Sequence, residues 1–242
     1  MRALAVIPAR FASERLPGKP LVKLDGKPLV EWVYTTTVEC NLFERVIVAT
    51  ESEEVVACVL EFGGSVELTG QHHRTGTDRV AEVAERYPGC DVVANVQADQ
   101  PFLTTRMLEE LLTPYVAGES PDMTTLACPL VGDPDDPNVV KVVCDQNGDA
   151  LYFSRSRIPF SDVASEPALL HHLGLYAFRA DFLTTFSALR SSPLERAERL
   201  EQLRALEHGY RIRVCRTEGP TLEINTPEEW QQAQAHLSRS SA

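Results

Sequence analysis

Three basic side chains and a hydroxyl, Arg10, Ser13, Arg15 and Lys19, follow the first apolar run of the chain on a loop that contains Pro17 and Gly18. Guanidinium forks and an ammonium at this spacing can wrap the oxygens of a polyphosphate together with backbone N–H groups. A solvated surface loop is the plainer reading of the same residues. The charge is nevertheless out of keeping with the chain, which has 35 acidic against 23 basic side chains and a formal net charge of −12. Only four of the basic residues are lysines, and three of them (Lys19, Lys23, Lys27) lie within this region. A second reactive position is Asp99, just beyond the apolar stretch DVVANVQ (91–97). A carboxylate past the end of a parallel strand stands where α/β enzymes bind ligand, and it can hold a divalent ion against phosphate oxygens. Capping of the next helix is the alternative for Asp99. Two familiar nucleotide motifs are missing. There is no G-x-G-x-x-G, and Gly18-Lys19 and Gly26-Lys27 are each followed by Pro and not by the Ser or Thr of a P-loop.

The elements that must carry these groups alternate. Apolar runs predict strands at 2–7, 45–50, 65–68 and 91–97, and periodic segments predict helices at 28–40, 52–62, 77–87 and 104–116, with Pro28 suited to a first helical position. Strands separated by helices of this length indicate βαβ units and a mostly parallel sheet. Later the pattern changes. NVVKVVCD (138–145), a turn at Gln146-Asn147-Gly148 and ALYFSR (150–155) read as a hairpin, because Asn-Gly favours tight turns. A strand at 172–179, a long amphipathic helix at 193–208, a strand at 211–216, an extended piece at 221–225 and a helix at 227–238 complete the chain, with a frayed tail expected at SRSSA. The expectation is one α/β domain over 1–242, with residues 1–130 mainly one binding half and 131–220 mainly the other.

Bulk composition narrows the classes. A content of 43% hydrophobic and 24% charged residues in 242 is ordinary for a globular chain able to bury a sizeable core. No run approaches a membrane span and the N-terminus lacks a signal-peptide pattern, so no membrane association and a cytoplasmic location are expected. Six widely spaced cysteines without a C-x-x-C pair argue against a zinc knuckle or a disulfide framework. An acidic balance argues against nucleic acid as a partner.

IPARFASERLPGKPL (7–21) closely resembles the opening signature of the 3-deoxy-manno-octulosonate (Kdo) cytidylyltransferases, or CMP-Kdo synthetases. Matching segments follow in the same order: RVIVATESEEV (45–55), HHRTGTDRVAEV (72–83), NVQADQP (95–101), NVVKVV (138–143), LYFSRSRIPF (151–160), HHLGLYAF (171–178), PLERAERLEQLR (193–204) and INTPEE (224–229). The resemblance covers nearly the whole chain. It implies an α/β fold of the nucleotide-diphospho-sugar transferase, glycosyltransferase-A-like type, with a mostly parallel central sheet flanked by helices and a hairpin-bearing insertion. It implies transfer of CMP from CTP to a small anionic acceptor, by default Kdo, with Mg²⁺ and release of pyrophosphate, in a homodimer. On this basis Arg10, Ser13, Arg15 and Lys19 hold the triphosphate, with Arg10, Lys19 and Asp99 as the catalytic set. Pro8, Ala9, Thr75 and Gly76 shape the cytidine pocket, and Asp99 and Asn225 ligate the metal. Gln97, Arg155, Arg157, His172, Tyr176, Glu201 and Gln202 line the acceptor pocket. There Arg155 takes a carboxylate bidentately, and His172 is a hydroxyl partner or a general base. A turn and helix cap is the structural alternative for Thr75-Gly76-Thr77.

The chain departs from the family pattern at several points. Asn225 stands where the family's second metal carboxylate is usual, so either Asn225 ligates through its carbonyl oxygen or Glu223, two residues away on an extended segment, compensates. Ala98 replaces the usual Gly before Asp99. Arg157, the short connection from Pro159 to His171 and His171 itself gather in the acceptor half. Arg157, the short connection and Asn225 open a small phosphonate acceptor for the same CMP transfer as one alternative, and the lost second carboxylate alone opens a non-catalytic nucleotide-binding homologue as another.

Overall fold

The run ALAVIP becomes strand β1 (Ala3–Pro8), and every residue of it is buried. A strand without polar alternation belongs inside a parallel sheet covered on both faces. In this computed structural model, which describes residues 1–12, 15–160 and 169–240, the chain divides into two compact units. The first joins Met1–Glu109 to Thr221–Ala242, and the second is Glu110–Pro220.

In the first unit β1 leads to a small ribbon, β2 (Lys23–Leu24) with β3 (Lys27–Pro28), and then to helix α1 (Leu29–Glu39). Strand β4 (Phe43–Thr50), helix α2 (Glu53–Glu61), strand β5 (Val66–Leu68), helix α3 (Gly76–Glu85) and strand β6 (Val92–Asn95) follow. The strands stand in the order β6-β1-β4-β5, and all run parallel. Their carboxyl ends therefore open on one side, bringing Pro8, Thr50 and Asn95 to a common edge. Strand β6 stops before the predicted residue 97: the Val96 N–H donates to the Val6 carbonyl at 3.0 Å, after which the chain turns. Pro28 caps α1 from the ribbon and is not its first helical residue. The C-terminal segment returns to this unit. Ile224 is fully buried and packs with Leu24, Leu29 and Ala233, while the indole N–H groups of Trp32 and Trp230 donate to the Leu24 and Lys23 carbonyls.

Helix α4 (Thr105–Val116) carries the boundary between the units. The second unit contains β7 (Met123–Pro129), the hairpin β8 (Lys141–Cys144) and β9 (Ala150–Ser154), β10 (Leu170–Arg179) and β11 (Ile212–Arg216). Strand β7 is parallel to β11 and antiparallel to β10. The hairpin turns at Asp145–Gly148 as its Asn-Gly pair predicts, and Gly148 takes φ +85°. Helix α5 (Ala180–Ala188) packs its Phe182 and Phe186 rings against Phe178 of β10.

The single helix predicted over 193–208 is two. Helix α6 (Pro193–Glu198) ends at Arg199, which adopts a left-handed φ of +56°, and α7 (Leu203–Glu207) follows a turn. Glu195 explains the break: its carboxylate caps the Ser192 N–H at 3.0 Å and takes Arg204 Nε at 3.0 Å and Nη2 at 2.5 Å, folding α7 back on α6. Glu201 and Gln202 thus lie in the turn and not on a helix face. All six cysteines are free. Among the described residues no helix is long and apolar enough to cross a membrane.

Candidate active site

The basic loop leaves β1 at Pro8, and the Ala9 N–H donates to the Ala49 carbonyl at 2.8 Å. Gly18 closes the loop with φ +65°, a conformation that disfavours other residues. Its N–H donates to the Phe11 carbonyl at 3.2 Å, and its own carbonyl accepts from Leu21 in the turn Lys19–Leu21. The result is a cleft of about 450 Å³ in the first unit lined by Pro8, Ala9, Arg10, Arg15, Lys19, Gly76, Gln97 and Asp99. These eight of the predicted residues come together. Ser13 lies outside the described residues.

The cleft has a cationic focus. Lys19 Nζ donates to Asp99 Oδ2 at 2.6 Å and to Asn225 Oδ1 at 3.0 Å, and Arg15 Nη2 donates to the same Asn225 oxygen at 3.3 Å. The Lys19 and Asp99 side chains are each 18% exposed, so their attraction is only partly screened by water. Asn225 reaches this point because the Ile224 N–H donates to the Asp99 carbonyl at 2.9 Å, which registers the returning segment beside Asp99. The TPEE sequence then fixes it. Glu229 Oε2 takes the N–H groups of Asn225 and Thr226 at 2.6 and 3.0 Å, while Thr226 Oγ1 takes the Glu229 N–H at 3.2 Å, a reciprocal helix cap.

Among the described residues no group of three His, Cys, Asp or Glu side chains is placed to hold a metal by itself. The donors fit Mg²⁺ in another way. Asp99 and Asn225 aim hard oxygen atoms at one cation, the Lys19 ammonium, and Mg²⁺ takes such oxygens from one or two side chains and completes its shell with substrate phosphates and water. Glu223 adjoins this pair: its carboxylate accepts from Gln100 Nε2 at 3.1 Å and from Asn225 Nδ2 at 3.3 Å. The surrounding protein and then the Asp99 charge push its carboxyl above the ordinary range.

Helix α3 begins at the cleft. Thr75 caps it, accepting from the Asp78 N–H at 3.1 Å while Asp78 accepts from the Thr75 N–H at 3.2 Å. The capping role read for Thr75 therefore coexists with a helix N-terminus whose dipole favours anions. A Cβ on Gly76 would meet Pro8 Cγ at 3.3 Å, so glycine keeps this wall close. Gln97 is set by a relay: its Nε2 donates to Asn95 Oδ1 at 2.8 Å, and Asn95 Nδ2 donates to Thr77 Oγ1 at 3.2 Å.

The remaining predicted acceptor residues belong to the second unit. Arg155 is held by Nε on the Glu198 carbonyl at 2.8 Å and Nη1 on the Pro137 carbonyl at 3.0 Å, and its own N–H is taken by the Glu198 carboxylate at 2.9 Å. Ser154 Oγ donates to that carboxylate at 2.6 Å. Arg157 is exposed beyond β9. His172 is buried between Phe153 and Tyr176, 2.9 Å from Thr125 Oγ1. Burial, then the neighbouring His171, pulls its pKa to about 3, so the ring is neutral and too weak a base to take a proton near neutrality. Gln202 is buried, and Glu201 lies 3.6 Å from Arg204.

Sequence reasoning did not single out Glu51, Arg79, Lys141 or Glu198, although all lie in segments quoted above. Lys141 is wholly buried, with Nζ on the carbonyls of Asp136, Val139 and Arg155 at 2.9, 2.7 and 2.5 Å. Only the sharp change from apolar to charged within NVVKVV marked it.

Residues 4–212 match the cytidylyltransferase family model. A 3-deoxy-manno-octulosonate cytidylyltransferase of Acaryochloris marina is 55% identical over 241 residues, covering 99% of this chain and 98% of the relative. Its counterpart in Synechococcus elongatus is 52% identical, with 99% of each chain covered. A solved CMP:2-keto-3-deoxy-manno-octonic acid synthetase complexed with CTP superposes with a TM-score of 0.95 at 37% identity, over 99% of this chain and 100% of that one. A 4-diphosphocytidyl-2C-methyl-D-erythritol synthase of Anaerococcus prevotii shares the fold alone, at TM-score 0.66 and 14% identity, over 98% of this chain and 99% of that one. The expected α/β fold with a mostly parallel, helix-flanked sheet is thereby met, and the chain belongs to the 3-deoxy-manno-octulosonate cytidylyltransferase family.

Proposed function

We propose that this protein transfers CMP from CTP to Kdo and releases pyrophosphate. The observation that carries the reading is the gathering of Arg10, Arg15, Lys19 and Asp99 around one cleft of a chain with net charge −12. Relatives named for this activity run the length of the chain, and the solved relative at TM-score 0.95 is a CTP complex.

In the reaction a Kdo hydroxyl oxygen attacks the α-phosphorus and its proton passes to solvent. The new P–O bond forms as the bond to the bridging oxygen of the β-phosphate breaks, and pyrophosphate leaves opposite the attacking oxygen. Arg10, Arg15 and Lys19 bind the triphosphate and take up the charge that develops on the leaving group. Pro8, Ala9, Thr75 and Gly76 bound the nucleoside. Asp99 and the Asn225 carbonyl would hold Mg²⁺, which would neutralise phosphate charge. Lys19 gives up its Asp99 partner on nucleotide entry and passes to the phosphates. In the first unit Gln97 is suited to a hydroxyl of the sugar acid; in the second unit Tyr176, Glu201 and Gln202 are suited to hydroxyls and Arg155 to a carboxylate.

The phosphonate alternative is not favoured. Its motives are Arg157, the connection before His171 and Asn225, yet eight relatives between 55% and 44% identical carry the Kdo name. That connection falls largely outside the described residues. A cytoplasmic homodimer supplying CMP-Kdo for lipopolysaccharide assembly is the setting this reading implies. Incubation with CTP, Kdo and Mg²⁺ tests it by pyrophosphate release and the mass of the product. A panel in which phosphonates turn over and Kdo does not would overturn it.

A further inference from the structure

We propose that Glu51 and Arg79 are positioning residues for the nucleotide, locking the basic loop to helix α3. This rests on the CMP-transfer reading. Arg79 is 1% exposed, and its Nη2 lies 2.7 Å from Glu51 Oε2. The other oxygen of the same carboxylate accepts the Phe11 N–H at 3.0 Å, next to Arg10. Arg79 also donates through Nη1 to Thr69 Oγ1 and to the Gly70 carbonyl, 3.4 Å away, while Arg10 Nη1 reaches the Arg74 carbonyl at 3.2 Å. One carboxylate at the end of β4 therefore joins the segment that carries Arg10 to the helix whose first residue, Gly76, forms the opposite wall of the cleft.

A pair this deep is not explained by stability alone, since apolar side chains of similar volume fill such a space at no greater cost. What an apolar pair cannot supply is the acceptor for the Phe11 amide. Without it the Phe11 amide loses its tie to the end of β4, and the contact of Arg10 with the Arg74 carbonyl is left to hold this segment beside α3. Neither Glu51 nor Arg79 lines the triphosphate cleft, so both act through other groups.

The test measures CTP binding by calorimetry without acceptor, then the kinetic constants, for Glu51→Met and for the double variant E51M/R79M. Glu51→Met removes the acceptor of the Phe11 amide, so it weakens CTP binding and raises its KM by about tenfold, the equivalent of one charge-assisted hydrogen bond, while the KM for Kdo stays within about twofold. The double variant recovers most of the Tm lost by Glu51→Met and keeps the loss of CTP affinity. If the single variant does not fold, the double variant carries the test. Wild-type affinity for CTP in either folded variant overturns the inference, as does an equal rise in both KM values. A wild-type protein that binds no CTP would instead end the CMP-transfer reading and this inference with it.

Discussion

Asp99→Asn separates the fold from the chemistry at a single side chain. The substitution keeps the volume and leaves untouched the backbone carbonyl that takes the Ile224 N–H. Two charge effects oppose each other. The variant loses the 2.6 Å attraction to Lys19, at 18% exposure on both sides, and it relieves the repulsion that helps push the Glu223 carboxyl upward. A lone pair near the surface contributes about 1 kcal/mol or less, and the relief offsets part of it. The expected change in Tm is therefore within about 4 °C for a chain of this size. Catalysis has no such offset. Loss of a fixed group that stabilises transition-state charge costs a factor of about 10²–10³ in kcat, or roughly 3–4 kcal/mol. Pyrophosphate release at saturating CTP and Kdo, over a Mg²⁺ series and beside thermal melting, reads both quantities. Turnover within threefold of wild type would refute the assignment, and a Tm drop beyond about 10 °C would make Asp99 a structural residue.

Three further outcomes follow from the geometry. Lys19→Ala leaves Asp99 and Asn225 without their shared cation and removes a phosphate ligand, so turnover falls by about 10²-fold or more while circular dichroism is unchanged. Gly76→Ala places a methyl 3.3 Å from Pro8 Cγ and narrows the cleft, and it raises the KM for CTP several-fold with Tm held within about 3 °C. His172→Gln flattens the acid limb of stability. The folded value near 3 lies below the usual 6.5, so between those values the unfolded chain binds a proton that the folded chain does not, and stability falls as pH drops, by at most about 1.4 kcal/mol per pH unit. Part of the slope persists in the variant, because burial and the Lys141 charge lower His171 in the same sense. Tm measured from pH 7 to 4 for both proteins checks this.

The parallel strands of the first unit were legible because burial on both faces writes an unbroken apolar run, as in β1 and β6. The hairpin was legible from Asn147-Gly148, whose glycine takes the positive φ the turn needs. The helix break at Arg199 was not. PLERAERLEQLR contains no residue that stops a helix after its first proline, and the interruption depends on Glu195 taking both the Ser192 amide and Arg204. The same divide runs through the site. Arg10, Arg15 and Lys19 announce themselves as charges gathered on one short loop, whereas their meeting with Asn225 depends on a backbone hydrogen bond from Ile224 to Asp99 across 125 residues. Buried cations such as Arg79 and Lys141 leave still less trace, because their partners are a distant carboxylate and backbone carbonyls, which no local pattern encodes.

The most direct measurement is a crystal structure of the protein with CTP and Mg²⁺. The expectation is the triphosphate in the cleft at the carboxyl end of β1, within hydrogen-bond reach of Arg10, Arg15 and Lys19, with the metal on Asp99 and the Lys19–Asp99 contact opened. Nucleotide bound elsewhere, or a triphosphate in the cleft with Lys19 still closed on Asp99 and no metal beside it, would contradict it.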